Sequence, residues 1–153
     1  MRSARRTSTP LLLLVLALGC GGQASTPDAS TVVAKVFGPH NGPALALPGD
    51  RGYAEVLAEP NRGGRDPSVV VYFLDPDLKR VLSPLPTDVR VKLAIPGGGI
   101  EELPLSPAPK PRDRAGSGRM ASPPVPVDPD RLSGELSAIV EGQPFTVAFA
   151  IGQ

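Results

Sequence analysis

The spacing of apolar and polar residues predicts short β-strands along most of the chain. Residues 89–95 alternate strictly, and their apolar side chains share one face: Val89, Val91, Leu93 and Ile95. The C-terminal residues alternate in the same way: Phe145, Val147, Phe149 and Ile151. Residues 52–58 alternate more weakly, around Tyr53, Glu55 and Leu57. The run VVVYFL at residues 69–74 has no polar break, which predicts a central strand covered on both faces.

Turn signals separate these runs. Asp75-Pro76-Asp77 follows the apolar run, and three glycines at residues 97–99 follow the strictly alternating one. Gly142-Gln143 divides residues 136–141 from residues 144–151, and glycine as the first residue of a two-residue loop predicts a type II′ hairpin turn. Short strands separated by turns indicate an all-β domain. We predict a small antiparallel β-sandwich, either Ig-like or a related barrel.

Residues 104–129 interrupt the strand pattern. They contain eight prolines and no apolar run, and their basic residues are Lys110, Arg112, Arg114 and Arg119. A loop of this length in a compact domain is usually either functional or disordered. We predict an exposed, Pro-rich loop of polyproline character, with a binding loop as the alternative. The basic residues are too few, and too close to Asp113, to predict an anion site.

The first twenty residues have the pattern of an export signal. Arg2, Arg5 and Arg6 precede an apolar run over residues 11–18, and Gly19 and Cys20 follow it. This run is too short to cross a hydrocarbon core, which takes about 20 helical residues. Its length and its basic flank are typical of a secretory signal peptide.

The segment from Leu16 to Cys20, LALGC, resembles the bacterial lipobox. The resemblance implies that acyl chains such as palmitate are attached at Cys20 and that the signal peptide is cut just before it. It also implies a periplasm-facing, lipid-anchored location in the cell envelope, where Gly21 favours the outer membrane over the inner. The alternative is an ordinary signal peptide. However, Cys20 is the only cysteine, and a lone thiol in an exported protein would otherwise be unexplained.

These patterns divide the chain into three parts. Residues 1–19 are the predicted lipoprotein signal peptide, residues 20–31 are the lipidated cysteine and a flexible tether, and residues 32–153 are the β-sandwich domain with the Pro-rich loop at 104–129. The eleven small and polar residues after Cys20 span about 18 Å as a random coil. The mature chain carries 13 basic and 15 acidic residues, a formal charge of −2, which argues against nucleic acid as a partner.

Residues that could support catalysis or metal binding are sparse. His40 is the only histidine, and we interpret it as a turn or strand-start residue rather than a ligand. Glu101 and Glu102 are adjacent, so in a strand they point to opposite faces, and Asp75 and Asp77 lie in a turn. We interpret both pairs as solvated. The glycine runs lack the context of a phosphate-binding loop. We therefore predict no enzyme and no catalytic, cofactor-binding or metal-binding residue.

Three short motifs resemble those of small periplasmic β domains: His40-Asn41-Gly42, YAEVL at residues 53–57 and VVYFLD at residues 70–75. Such domains occur as separate lipoproteins, and also beside or joined to the adaptor subunits of heavy-metal efflux systems. The resemblance implies a β domain over most of residues 39–151 and assigns no functional residue. Our leading hypothesis is a membrane-anchored envelope lipoprotein whose domain is a non-catalytic binding or structural module with an envelope protein as partner. The alternative is a periplasmic accessory of a heavy-metal efflux system.

Overall fold

The computed structural model describes residues 36–61, 64, 66–95, 97–108 and 118–152. The predicted signal peptide, Cys20 and the tether lie outside these residues. The described strands are β1 (Ala44–Ala46), β2 (Tyr53–Glu59), β3 (Ser68–Leu74), β4 (Thr87–Ile95), β5 (Gly99–Pro104), β6 (Ser106–Pro107), β7 (Arg119–Pro124), β8 (Ser133–Val140) and β9 (Gln143–Ala150). A 3₁₀ turn, Pro48–Asp50, follows β1. None of the helical structure in these residues is long and apolar enough to cross a membrane.

The strands form two antiparallel sheets that pack face to face. The five-stranded sheet has the order β1-β2-β3-β7-β6, and the four-stranded sheet has the order β5-β4-β8-β9. Their inner faces share one buried core, to which the first sheet contributes Val56, Val71 and Phe73 and the second contributes Leu93 and Leu136. The described strands do not close into a barrel. The predicted small antiparallel β-sandwich is therefore confirmed, and the barrel alternative is not the one that forms.

The two clearest sequence patterns occupy the positions that their periodicity predicts. The apolar run forms β3, which lies between β2 and β7 and is buried on both faces from Val69 to Leu74. The strictly alternating run forms β4, in which Val91 and Leu93 are buried while Arg90 and Lys92 are exposed. A strand whose two faces are covered needs apolar side chains at every position, whereas a strand with one solvated face needs them only at alternate positions.

The C-terminal hairpin has a different turn from the one predicted. Val140 pairs with Gln143, so the two loop residues are Glu141 and Gly142 rather than Gly142 and Gln143. Both loop residues have positive φ, 48° and 80°, which is the type I′ conformation and not type II′. Glycine is the second loop residue, where a type I′ turn accepts it readily. Pro144 then lies one residue inside β9.

The Pro-rich region also differs from its prediction as one loop. Residues 119–124 form β7, which pairs with β3, and Met120, Ser122 and Val125 are buried. The β3–β7 register shifts between Ser68 and Val70. At this irregularity the Ser122 hydroxyl accepts the Val69 N–H at 3.0 Å, so the ladder continues through a side chain. Residues 109–117 lie outside the described part of the chain.

Candidate functional site

The most unusual group in the sandwich is the buried carboxylate of Glu55. This side chain points outward from β2, away from the main core, and yet its exposed fraction is 0%. Its Oε1 accepts the backbone N–H groups of His40 at 2.8 Å and Gly42 at 2.9 Å. Its Oε2 lies 2.8 Å from His40 Nδ1. A buried charge is costly unless hydrogen bonds compensate it, and these three contacts supply that compensation.

The loop from Gly38 to Gly42 is shaped to enclose this carboxylate. The Gly38 N–H donates to the carbonyl of Gly42 at 2.9 Å, and the Asn41 N–H donates to the carbonyl of Gly38 at 3.0 Å. A Cβ on Gly38 would lie 2.3 Å from the Glu55 carboxyl carbon, and one on Gly42 would lie 2.6 Å from the Val56 carbonyl oxygen. Asn41 has φ of 67°, a conformation that Asn tolerates better than most residues. Glycines at both ends therefore let the loop approach β2 closely.

The imidazole of His40 is fixed by more than this one contact. Its ring stacks on Tyr72 of β3, with centroids 3.8 Å apart and an interplanar angle of 12°. The Tyr72 hydroxyl in turn donates to Glu59 Oε1 at 2.9 Å. Glu59 Oε2 lies 3.1 Å from Nη2 of Arg119 on β7. A line of polar contacts thus crosses β2, β3 and β7 on the outer face of the five-stranded sheet.

The arrangement around His40 defines what its ring can do. The His40 side chain is 39% exposed, although Nδ1 faces a carboxylate with no exposed surface. A carboxylate facing Nδ1 favours the tautomer in which Nδ1 carries the proton, and it thereby leaves the lone pair on Nε2. Within the part of the chain that the structure describes, no group of three or more His, Cys, Asp or Glu side chains could enclose a metal ion. His40 therefore offers at most a single imidazole nitrogen.

The carboxylates noted in the sequence have surroundings that differ from those of Glu55. Asp75 Oδ1 accepts the backbone N–H groups of Lys79 at 2.9 Å and Arg80 at 3.2 Å, so it closes the turn after β3. The pKa of Asp75 is lowered from its ordinary value, chiefly by the hydrogen bond from the Lys79 N–H. Glu102 is exposed on β5 and lies 3.4 Å from Nη1 of Arg90. The structure brings none of these carboxylates to His40.

An open apolar groove of about 360 Å³ lies elsewhere, between an edge of each sheet. One wall is the end of β1 and the following turn, with Ala46, Leu47 and Pro48. The other wall is β9, over residues 144–147. An ion pair between Arg51 and Glu141 links the chain segments next to these walls. This groove is the second feature of the sandwich that could receive a ligand.

Sequence reasoning did not identify Glu55 as a buried group. It placed Glu55 in a weakly alternating strand and interpreted His40 as a separate turn residue. The signal that could have joined them is a glutamate in an otherwise apolar strand, YAEVLA, fifteen residues after a histidine flanked by glycines at 38 and 42. The predicted site residue, Cys20, lies outside the described residues.

Comparisons of the chain with family models, with curated proteins and with solved structures found no match.

Proposed function

We propose that the chain is a non-catalytic binding module of the bacterial envelope, anchored through lipid on Cys20, that takes up an extended segment of a protein partner along β9. The anchor follows from the lipobox-like residues before Cys20. The binding mode rests on one observation, which is that β9 is a long sheet edge without a charged residue. Strand addition at such an edge is a recurring mode of peptide recognition.

A comparison of the four sheet edges supports this assignment. β1 has three residues and β6 has two, so both are short. β5 has six residues, but Glu101 and Glu102 place charge along it. Short length and charge are the usual means by which proteins prevent an edge from pairing with another chain. β9 has eight residues with the sequence QPFTVAFA, and apart from Pro144 it carries neither protection.

The hydrogen-bond register of β9 indicates which of its backbone groups a partner would meet. Ile151 N–H donates to the carbonyl of Leu132 at 2.7 Å, in register with the β8–β9 ladder. In an antiparallel ladder, residues that bond to the neighbour alternate with residues whose backbone groups point away. The groups of Thr146, Ala148 and Ala150 therefore point to the open side of β9. Pro144 belongs to the same outward set, where its missing N–H breaks no bond to β8.

The apolar groove beside β9 would supply selectivity for side chains. Backbone hydrogen bonds to Thr146 and Ala148 do not distinguish one sequence from another, so recognition has to come from alternate side chains of the partner. The groove is lined by Leu47 and Pro48 on one side and by Phe145 and Val147 on the other. No charged residue lines it. We therefore expect the bound segment to be extended and to place an uncharged, apolar side chain in the groove.

The test compares two lysine substitutions on neighbouring strands of one sheet. Thr146 on β9 and Ser137 on β8 are directly opposite each other. A lysine at residue 146 places charge on the open edge, whereas a lysine at residue 137 places the same charge one strand inside the sheet. Each tagged variant is expressed as the full chain and recovered from detergent-solubilised envelope. We expect a partner that is captured by the wild type and by Ser137→Lys but is lost with Thr146→Lys.

The outcomes of this experiment separate the hypotheses. A partner retained equally by Thr146→Lys would overturn binding along β9. A captured efflux adaptor subunit would favour the heavy-metal efflux alternative over the general binding module. The anchor is tested by itself: Cys20→Ala should abolish labelling with radioactive palmitate and leave the signal peptide uncleaved. Palmitate label retained in that variant would show that Cys20 is not the anchor.

A further inference from the structure

We propose that residues 32–35 of this chain add as an antiparallel strand to the open edge of β1 and place Val33 in the apolar groove beside β9. These four residues lie outside the described part of the chain, directly before Val36. The segment would bond to β1 and leave the backbone of β9 open, so its docking does not depend on the β9 proposal. The described residues next to it determine its register and the direction of its side chains.

The described chain already begins a hairpin with β1. Phe37 pairs antiparallel with Pro43. One residue further along each strand, the Ala44 N–H donates to the carbonyl of Val36 at 2.9 Å. In an antiparallel pair, each step back along one strand is matched by a step forward along the other. Four residues extend about 14 Å in a strand, so the segment before Val36 is long enough to reach the groove at residues 46–48.

The backbone of β1 offers hydrogen-bonding groups to this segment. The Leu47 N–H donates at 2.9 Å to the carbonyl of Gly52, the residue before β2. In an antiparallel ladder, residues that bond to one neighbour alternate with residues whose backbone groups point away from it. The N–H and the carbonyl of Ala46 therefore point to the open side of β1. The register of the hairpin brings Ala34 opposite Ala46, where both hydrogen bonds of the pair can form.

The two faces of β1 determine which side chain would enter the groove. Leu47 belongs to the shared core and also lines the groove. Residues directly opposite each other in a ladder point to the same face of the sheet. Val33, opposite Leu47, would therefore point into the groove toward Phe145 and Val147 of β9, and Val32 would point to the other face. No described residue that lines the groove is charged, so burial of the apolar Val33 side chain there is favourable.

Lys35 is suited to the outermost strand of a sheet. The same register would place it opposite Leu45, where its stem can cover apolar surface while its ammonium group reaches water. Lysine on an edge strand hinders pairing with another chain, so the added strand would protect this edge of the sandwich. Residues 20–31 would then lead from the groove to the predicted lipid on Cys20. A partner bound along β9 would meet Val33 as part of the groove wall.

The first test measures amide hydrogen exchange on the ¹⁵N-labelled full chain purified from detergent-solubilised membranes. In the proposed strand, Ala34 and Ala46 exchange backbone hydrogen bonds, whereas the N–H groups of Val33 and Lys35 point away from β1. We expect the Ala34 amide to exchange at least about tenfold more slowly than the amides of Val33 and Lys35, after correction for intrinsic rates. Equal exchange of these three amides would overturn the inference.

Two adjacent valines provide a matched pair of variants. Val33→Asp places a charge in the apolar groove, whereas Val32→Asp places the same charge on the opposite face of the added strand. We expect Val33→Asp to abolish the slow exchange of the Ala34 amide and Val32→Asp to keep its rate within about twofold of the wild type. Slow exchange retained in Val33→Asp, or lost equally in both variants, would contradict the placement of Val33. The exchange pattern of the wild type decides whether the strand forms even when a variant does not fold.

A mixture of ¹³C-labelled and unlabelled chains identifies the occupant of the groove. We expect NMR contacts between the Val33 methyl groups and the Phe145 ring within one labelled chain. Contacts found only between a labelled and an unlabelled chain would show that a second copy supplies the segment, and would overturn its assignment to the same chain. These measurements use the purified chain without a partner, so their failure is distinguishable from a failure of the Thr146→Lys capture experiment.

Discussion

The outer faces of the two sheets differ in their burial and in the surroundings of their charged residues. On the five-stranded sheet, the outward residues Glu55, Val70, Tyr72 and Leu74 are all at most 5% exposed. On the four-stranded sheet, the outward residues Arg90 and Lys92 of β4 are exposed. The first face holds a buried carboxylate, a stacked histidine and an ion pair, whereas the second holds charges in contact with water. The centre of the five-stranded sheet is therefore covered on both faces, whereas β4 of the other sheet is covered on one.

This difference determines how much a polar contact on each face contributes to the stability of the fold. An exposed ion pair such as Arg90–Glu102 contributes little, because water solvates both partners and salt screens them. A buried carboxylate such as Glu55 must be fully hydrogen-bonded or it destabilises the fold. The contacts of Glu55 join residues 40 and 42 to β2 and thus hold the loop in place. Substitutions on the two faces should therefore differ in their effect on the free energy of unfolding.

The largest contrast is between two glutamates. Glu55→Ala leaves the N–H groups of His40 and Gly42 and the His40 ring without their acceptor, and we expect the free energy of unfolding to fall by about 3 kcal/mol. Glu102→Ala removes an exposed carboxylate from the other sheet, and we expect a change within about 0.5 kcal/mol. Chemical denaturation of both variants measures the difference. Equal losses would mean that the outer faces do not differ as described.

The next contrast concerns the glycines of the loop. Gly38→Ala would place a Cβ 2.3 Å from the carboxyl carbon of Glu55, so either the loop or the carboxylate must move. We expect a loss of about 2 kcal/mol, since the displaced group is a buried charge and not a flexible surface chain. The control is Gly64→Ala, whose Cβ would first meet the exposed Asn61 side chain at 3.3 Å. Thermal unfolding should give a clearly lower midpoint for Gly38→Ala alone.

The spacing of apolar residues predicted a strand correctly where burial of its faces alone determines the pattern. β3 and β4 have the clearest patterns, and in the structure β3 is buried on both faces while β4 is buried on one, as those patterns predict. β7 was not predicted, since residues 119–124 were assigned to the Pro-rich loop: Pro123 and Pro124 end the strand, and the Ser122 hydroxyl replaces a backbone partner in the ladder. The turn at Glu141 was missed because positive φ in a glutamate has no sequence signal.

The candidate site was harder to predict than the fold, because it depends on two residues that are distant in sequence. Glu55 resembles a solvated strand residue until the loop at residues 38–42 covers it. His40 resembles a turn residue until Glu55 and Tyr72 fix its ring. Each was noted in the sequence, but they come together only because β1 pairs with β2, with Ala44 opposite Glu55, and β2 pairs with β3, with Tyr72 opposite Glu55. Pairing across strands is tertiary information that local patterns do not contain.

A smaller effect should follow from Tyr72→Phe on the covered face. The substitution keeps the ring that stacks on His40 and removes the hydroxyl that donates to Glu59 Oε1 at 2.9 Å. We expect a loss of about 1 kcal/mol, the usual value for one hydrogen bond, because Glu59 keeps its contact with Arg119. The His40 tautomer should not change, and ring ¹⁵N shifts check this. A changed tautomer would show that Glu59 acts on His40 through Tyr72.

The smallest effect should appear at Asp75, at the exposed end of β3, and it should depend on pH. The pKa of this carboxyl is lowered, chiefly because the Lys79 N–H donates to it, so the ionised form is favoured in the folded state. Its contribution to stability is then present above the unfolded value of about 3.9 and is lost as pH falls through the lower folded value. Asp75→Asn keeps an oxygen acceptor for the N–H groups of Lys79 and Arg80 but cannot titrate. We expect wild type and variant to differ by a constant amount above a pH of about 5, and the wild type's advantage to shrink below about 4. Unfolding midpoints of both proteins across this range measure the effect. A wild-type advantage that grew in acid would contradict a lowered pKa of Asp75.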